Sequence, residues 1–525
     1  MVFLSSKPNI ELIDIIENPS DLAVASARSC YSPELIKPKD VGIKKGETRE
    51  HWDRLRIQLY NAEHHTPFGH AHLVFGISGV SRLLIWSLFH DQPFHNSNQD
   101  SQRFDRKYRK MTLDDFVIPD FRNNDLNLVY KETLEFQLLV DNGLFEMLKP
   151  TVEQKYYRLF PKDKGTEEGD REVNRKTQEI TRYVLPIATK SHLYHTINTL
   201  TLQRYYYCAE MCDVSEEARI VVNEMINEAK KFDPNILMVK NSIKFEDTLE
   251  HRLIEKYKGD KIDFHRNRKF VEEFDESLKD HISKLIDHPN NPYRILGDSL
   301  RTEFGLTEQE LSDEEAVYLL LNPAKDPYLL GPLNITMMSK ITRALNNVYY
   351  TFKKKLSHSA DSQDQRHRGV LGSRPFIMQH YFGEPDYIIP DLIKDDEKAL
   401  STYKATMKLI FNNINYLLEN NANSQYVAYL LPNAYPIRFI ESGSLLHLRK
   451  KFVERLCYNA QKEIWQATSD EVDQITKVHP LIGKWFGAPC DIAYKADSRR
   501  NCPEGYHFCG EKVWLLNNEE RKRII

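Results

Sequence analysis

The sequence predicts an α+β, helix-rich protein built as two tandem domains. Three observations carry that reading. The chain has 525 residues, and at roughly 100–200 residues per domain two or more domains are expected. Short apolar stretches of strand length, such as residues 73–77, are followed by stretches with apolar residues at helical spacing, such as Leu84, Ile85 and Leu88. The second half also reads as a degenerate copy of the first, with His358 to His367 paralleling His95 to Phe104.

In chain order, residues 9–17 read as an opening strand. Pro19-Ser20-Asp21 then starts a helix, with Ser20 or Asp21 as its cap. Residues 33–50 are polar and read as a loop insertion. Trp52, Leu55 and Leu59 recur at helical spacing and lead to a histidine-rich turn on Thr66 and Pro67. A strand over 73–77, a break at Gly79 and a helix over 81–89 follow. Helices are expected at 126–148, about 172–185, and 215–231, the last with Ala218, Val222, Met225 and Ala229 on one face. Residues 232–270 mix Pro, Gly and charge, and place a division near 240. The expected domains are 1–240 and 241–489, with a cysteine-containing tail at 490–525.

Composition excludes several classes. Apolar residues are 41% and charged residues 28%, the balance of a soluble globular protein. A net charge of −4 gives no electrostatic case for nucleic acid or a membrane surface. No apolar run approaches the ~18–20 residues that span a bilayer. Residues 1–14 hold too short an apolar core for a signal peptide. Seven cysteines, an odd number and sparse, fit a reducing cytoplasm.

Residues 64–104 organise the rest. Their end, Asn96-Ser97-Asn98-Gln99-Asp100-Ser101-Gln102-Arg103, carries too many donors and acceptors to be buried dry. Such a run suits a site that grips a polar, anionic small molecule. Here the sequence resembles the flavin-dependent thymidylate synthases. That family carries an H-x-T-P-F-x-H turn, matched by His64-His65-Thr66-Pro67-Phe68-Gly69-His70. Its N-E-x-S-x-R-Y run is matched by Asn98 to Phe104, with Gln99 for Glu and Phe104 for Tyr. Its R-H-R triad is replaced by Phe89-His90-Asp91. Arg182-Tyr183-Val184-Leu185-Pro186 resembles the A-R-x-x-L-P element, and Asn198 takes the family asparagine's place, twelve residues on. Ala209 stands where the family has a second nucleotide arginine.

The second half has kept other parts. Lys353-Lys354-Lys355 falls at the triad, Asp364 where Ser101 sits, and Arg366 where Arg103 sits. Ala428 replaces the L-P arginine and Ser444 the asparagine. Arg455 with Asn459-Ala460-Gln461-Lys462-Glu463-Ile464 matches R-x-x-x-H-A-Q-x-E-I.

The resemblance implies two tandem synthase-like domains, each with a small antiparallel sheet, and a chemistry. FAD takes hydride from NADPH and takes part in moving a one-carbon unit from methylenetetrahydrofolate to dUMP. No side-chain nucleophile is needed; the protein positions and stabilises charge. On this reading Ser101, Gln102, Arg103, Arg182 and Lys353 bind nucleotide, and Arg455 faces the uracil edge as the catalytic residue. His65, Thr66, His90, Gln99 and Asn198 bind flavin. The remnants complement one another, which implies a composite site, and a homodimer that forms a pseudo-tetramer. Two other readings stay open: a flavin- or nucleotide-binding paralogue without catalysis, and a scaffold that reuses the fold. More plainly, Lys353–355 could be a solvated helix face, Tyr205 to Tyr207 core, and Cys208 and Cys212 buried thiols. In the tail, Cys490, Cys502, His507 and Cys509 could hold zinc as a Cys₃His set.

Overall fold

The computed structural model describes residues 2–42, 48–91, 94–211, 214–238, 244–258, 261–325, 339–497, 502–516 and 520–525. Cys212 lies outside them. The chain forms two compact units. Unit 1 is Met1–Leu138, Pro186–Ile262 and Asn412–Leu431; unit 2 is Leu139–Leu185, Asp263–Phe411 and Pro432–Ile525. Each unit therefore draws on both halves of the sequence. Residues 139–185, from before the expected division near 240, lie in unit 2, and residues 412–431, from after it, lie in unit 1.

Each unit has a four-stranded antiparallel sheet. In unit 1 these strands are β1 (Asn9–Ile15), β2 (His72–Ser81), β3 (His95–Gln99) and β4 (Lys190–Asn198), in the order β1-β2-β4-β3. In unit 2 they are β5 (Ser283–Asp287), β6 (Tyr349–Ser357), β7 (Val370–Ser373) and β8 (Pro436–Ser444), in the order β5-β6-β8-β7. The same order recurs with the same sense of pairing, so the repeat read in the sequence is a repeat of structure.

The cores follow from the patterning. Leu73, Phe75 and Ile77 alternate onto the buried face of β2, in one cluster with Val222, Met225 and Ala229 of the helix Glu216–Phe232. Burying such side chains contributes roughly 1.5–3 kcal/mol each before entropy is subtracted. The Ser215 hydroxyl accepts the Ala218 N–H at 3.2 Å and starts that helix. In unit 2, Tyr350 and Phe352 of β6 share a core cluster with Leu445, Leu448 and Phe452.

Two expectations are corrected. The strand does not break at Gly79: β2 runs to Ser81, and Gly79, at φ 74°, sits at the register shift between Ser78 and Val80. A glycine absorbs a bulge there without ending the ladder. The helix expected to stop before Pro150 runs over Asn124–Leu159. Its later turns bury Val152 and Tyr156 against Val173 and Leu392 in unit 2, and that packing overrides the proline. Among the described residues no helix is long and apolar enough to cross a membrane.

Candidate functional site

In unit 1 the histidine turn is a single 3-10 turn, Thr66–Gly69, with Phe68 buried beneath Tyr60. Its His65 ring lies 5.4 Å from the Tyr60 ring, and His64, Thr66 and His70 are exposed. The Thr199 hydroxyl donates to the Phe68 carbonyl, and Asn198 pairs with His72 across the sheet. The structure thus brings the turn and Asn198 together. Asn198 also accepts the Thr201 N–H at 2.8 Å, at the start of the helix Thr199–Met211. His90 packs edge-on against Trp86.

The polar run forms β3, the edge strand of its sheet, and the turn after it. Ser101 accepts the Arg103 N–H at 3.2 Å, Gln102 is buried, and the Arg103 guanidinium lies over Phe104. Asp100 anchors this turn. It binds Arg82 at 3.1 Å, Tyr108 at 2.5 Å and Lys107 at 2.5 Å, and accepts from Ser191. Burial works against its charge, yet Arg82 and the bonds from Lys107, Ser191 and Tyr108 prevail and hold its pKa down at about 2. Gln99 presents a buried side-chain oxygen with no hydrogen-bond partner among the described residues. An orphan acceptor of that kind suits a donor supplied by a bound molecule.

Unit 2 builds a different cluster. Arg182 Nη2 donates to Gln461 Oε1 at 2.8 Å, and Gln363 Nε2 donates to the same oxygen. The Gln363 carbonyl accepts from Arg455 Nη2 at 2.9 Å, while Arg455 Nε donates to His367 Nε2 at 2.8 Å. Burial, helped by Arg455, pushes the His367 pKa well below the ordinary range, so its ring is neutral and able to accept. Two guanidinium groups are therefore linked through one relay. Beneath it, Ser357 donates through N–H and hydroxyl to Glu463, which also accepts from Tyr183. Unit 1 repeats that base, with Ser81 N–H and hydroxyl and Tyr429 donating to Glu217. In each unit the tyrosine comes from the opposite half of the sequence.

The basic run 353–355 is strand, not the face of a helix, and its period of two splits it. Lys354 turns inward, 1% exposed, and binds Asp364 at 2.8 Å, Glu441 at 2.9 Å and Glu471 at 2.8 Å. Lys451 joins the same carboxylates. Lys353 lies 4.3 Å from the Phe274 ring centre, and Lys355 pairs with Asp275. The three lysines do not form one anion-binding patch, and Asp364 is already neutralised within the fold.

A family described as thymidylate synthase complementing protein matches this chain over residues 11–235 and 284–481. The chain belongs to that family. The two matched segments coincide with the two copies read in the sequence, which makes this a tandem member of the flavin-dependent thymidylate synthases. The flavin-dependent thymidylate synthase of Clostridium tetani is 28% identical over 229 residues, 43% of this chain and 84% of its own. That of Saccharolobus solfataricus is 30% identical over 220 residues, 40% of this chain and 78% of its own. Among solved structures, the Helicobacter pylori flavin-dependent thymidylate synthase complexed with FAD and dUMP covers 44% of this chain and 100% of its own, at 15% identity and a TM-score of 0.30.

Within the family frame, residues unassigned in the sequence stand out. Gln461 and Glu463 were visible as part of the A-Q-x-E-I pattern but had no role; they hold Arg182 and Tyr183. His367 and Gln363 gave no signal. In the tail, no group of three or more His, Cys, Asp or Glu side chains is placed to hold a metal ion among the described residues. Cys490 is buried in the apolar core, with Cys502 and Cys509 packed against it, and the His507 carbonyl accepts from Asn459. Burial, with neighbouring acidic side chains and thiols adding to it, pushes the Cys490 and Cys457 thiols up to about 12.

Proposed function

We propose that the protein is an FAD-dependent thymidylate synthase, converting dUMP to dTMP with methylenetetrahydrofolate and NADPH, and that it binds one nucleotide per chain. The observation behind this is the pairing of Arg182 and Arg455 in unit 2, from opposite halves of the sequence. In unit 1 the counterpart of Arg182, before Tyr429, is Ala428; that of Arg455, eight residues before Glu217 as Arg455 is before Glu463, is Ala209. Both alanines are buried. Only one of the two repeated places keeps both guanidinium groups.

Paired guanidinium groups bind an anion by charge-assisted hydrogen bonds. Arg455 at the uracil edge would favour the ring ionised at N3. Ser101, Gln102 and Arg103, on the Asp100-anchored turn, are proposed for the phosphate. FAD would be held by His65, Thr66, His90, Asn198 and Gln99, whose orphan oxygen fits a bound donor. When bound, the flavin supplies the hydride transfer and takes part in the one-carbon transfer. Two chains would pair as a pseudo-tetramer in the cytoplasm. A second reading, binding without turnover, is favoured by Phe89 and Asp91 at the triad and by the sequestered Lys354.

The test is absorbance and FAD titration of the purified protein, then dUMP calorimetry and NADPH turnover. We expect bound flavin and one dUMP per chain. Charge-assisted contacts of roughly 1.5–3 kcal/mol predict that Arg182→Ala and Arg455→Ala each weaken dUMP binding about 10- to 150-fold. Arg103→Ala should weaken it too, and Arg366→Ala much less. A colourless protein that takes up no FAD, or two equivalent dUMP sites, would refute the proposal. Flavin and dUMP binding without turnover would select the second reading.

A further inference from the structure

Arg455 is held along one edge by two acceptors, His367 Nε2 against its Nε at 2.8 Å and the Gln363 carbonyl against its Nη2 at 2.9 Å. Nε and Nη2 are the side-by-side donors of a guanidinium, so two bonds there fix both the plane and the direction of the group. A guanidinium only donates. The His367 Nε2 therefore carries a lone pair, and the single ring proton sits on Nδ1.

The turn that carries this ring is pinned on both sides. The His367 N–H donates to the Asp364 carbonyl at 3.1 Å, and its carbonyl accepts the Val370 N–H at 2.8 Å, where β7 begins. Asp364 is bound by Lys354 and Lys451, and the imidazole is buried. A ring so placed holds Arg455 with little freedom left to lose.

The kind of acceptor matters as much as its place. Other arginines of unit 2 are held by carboxylates: Arg374 by Asp361, Arg301 by Asp298 and Asp313, Arg438 by Asp275 and Asp386. A carboxylate fixes a guanidinium and cancels its charge. An imidazole and a carbonyl fix it and cancel nothing. The Glu454 carboxylate is 3.9 Å from the ring, but it is exposed and screened by water.

We propose that His367 is a positioning residue, which aims Arg455 at the uracil edge while leaving the guanidinium its charge, so that the site prefers pyrimidine nucleotides that ionise readily at N3. The inference rests on the reading of Arg455 as the residue at that edge.

The probes are dUMP and 5-fluoro-dUMP, titrated by calorimetry into the FAD-loaded full chain. Fluorine at C5 withdraws electrons and makes N3 more acidic, so the ratio of the two dissociation constants reads the preference for the ionised ring. A merely structural role for His367 would weaken both nucleotides alike and leave that ratio unmoved. We expect the parent to bind 5-fluoro-dUMP more tightly. His367→Leu should bring the ratio close to one and weaken dUMP roughly tenfold. His367→Gln, whose amide oxygen can take the place of Nε2, should keep the parent's ratio. His367→Glu has the same shape with a charge, and should lose the preference. The Gln and Glu variants decide the matter even where His367→Leu fails to fold. A parent ratio retained in His367→Leu or His367→Glu, or lost in His367→Gln, would overturn the proposal. Arg455→Ala separates this from the reading beneath it. If Arg455→Ala leaves dUMP affinity unmoved, the nucleotide reading of Arg455 falls. If it abolishes the preference while His367→Leu and His367→Glu keep it, only the role of His367 falls.

Discussion

Replacing Lys354 by methionine should be among the most damaging single changes in the protein. The ammonium is 1% exposed and lies within 2.9 Å of three carboxylates, Asp364, Glu441 and Glu471, themselves no more than 2% exposed at the side chain. Lys451 is the second cation against these three. Arg374 lies farther off, 3.6 Å from Glu441; without Lys354 the three carboxylates outnumber the one lysine left among them. Breaking a buried ion pair by removing one partner costs about 3–5 kcal/mol, because the remaining charge is stranded. Lys353→Met, which removes only a contact with the Phe274 face, should cost about 1 kcal/mol or less. The two variants differ by one residue along the same strand, so urea unfolding of both isolates the effect of burial. The pH dependence gives a second check. Burial favours protonated Asp364, but Lys354 and Lys451 prevail and hold its carboxyl well below the usual range. Its contribution is therefore present above the unfolded carboxylate pKa of about 3.9 and lost as pH falls through the lower folded value. In Lys354→Met the stranded carboxylates take up protons sooner, so the gap between mutant and parent should narrow as pH falls from neutrality. Equal stability of the two variants at pH 7, or a gap that widens as pH falls, would refute the reasoning.

Other expectations follow from the same structure. Cys457 and Cys490, with thiols raised to about 12, should react with iodoacetamide at pH 8 far more slowly in the native chain than in urea. Equal rates in the two states would contradict their burial. Residues 1–240 and 241–525 expressed separately should each fail to fold, since Tyr183 and Glu463, like Tyr429 and Glu217, would be parted. A cooperative thermal transition in either fragment alone would contradict this.

Much of the fold was legible because it rests on local pattern. The strand at Leu73, Phe75 and Ile77, and the helix carrying Val222 and Met225, follow from periodicities of two and 3.6. The turn at Thr66–Gly69 and its neighbour Asn198 follow from motif and spacing. What was not legible depends on the partner an element finds. Three adjacent lysines look alike in sequence; only the strand conformation sends Lys354 inward and its neighbours outward. The helix expected over 126–148 runs on past Pro150 because Val173 and Leu392 cover its next turns. In the tail, no periodicity announces that Cys490 enters the apolar core with Cys502 and Cys509 packed against it.

The same limit explains why Arg182 and Arg455 lie in one unit, linked through Gln461 and Gln363. Glu217 and Glu463 are each buried, and burial raises both carboxyls; the serine and tyrosine donors around them oppose that shift. Each serine lies at the end of a strand in its own unit, at Ser81 and Ser357. Each tyrosine arrives on an L-P element from the opposite half of the sequence. A buried carboxyl must keep its donors, so the exchange of L-P elements is fixed energetically in both units. Exchange carries the neighbouring residue along. Arg182 reaches unit 2 because Tyr183 must bond to Glu463, and Ala428 reaches unit 1 because Tyr429 must bond to Glu217. In a single-copy family member both copies of the element would be the same. In this chain they differ, and the exchange places Arg182 and Arg455 in the same unit. Ala428 and Ala209 both lie in unit 1, so of the two units only unit 2 has arginine at both repeated positions.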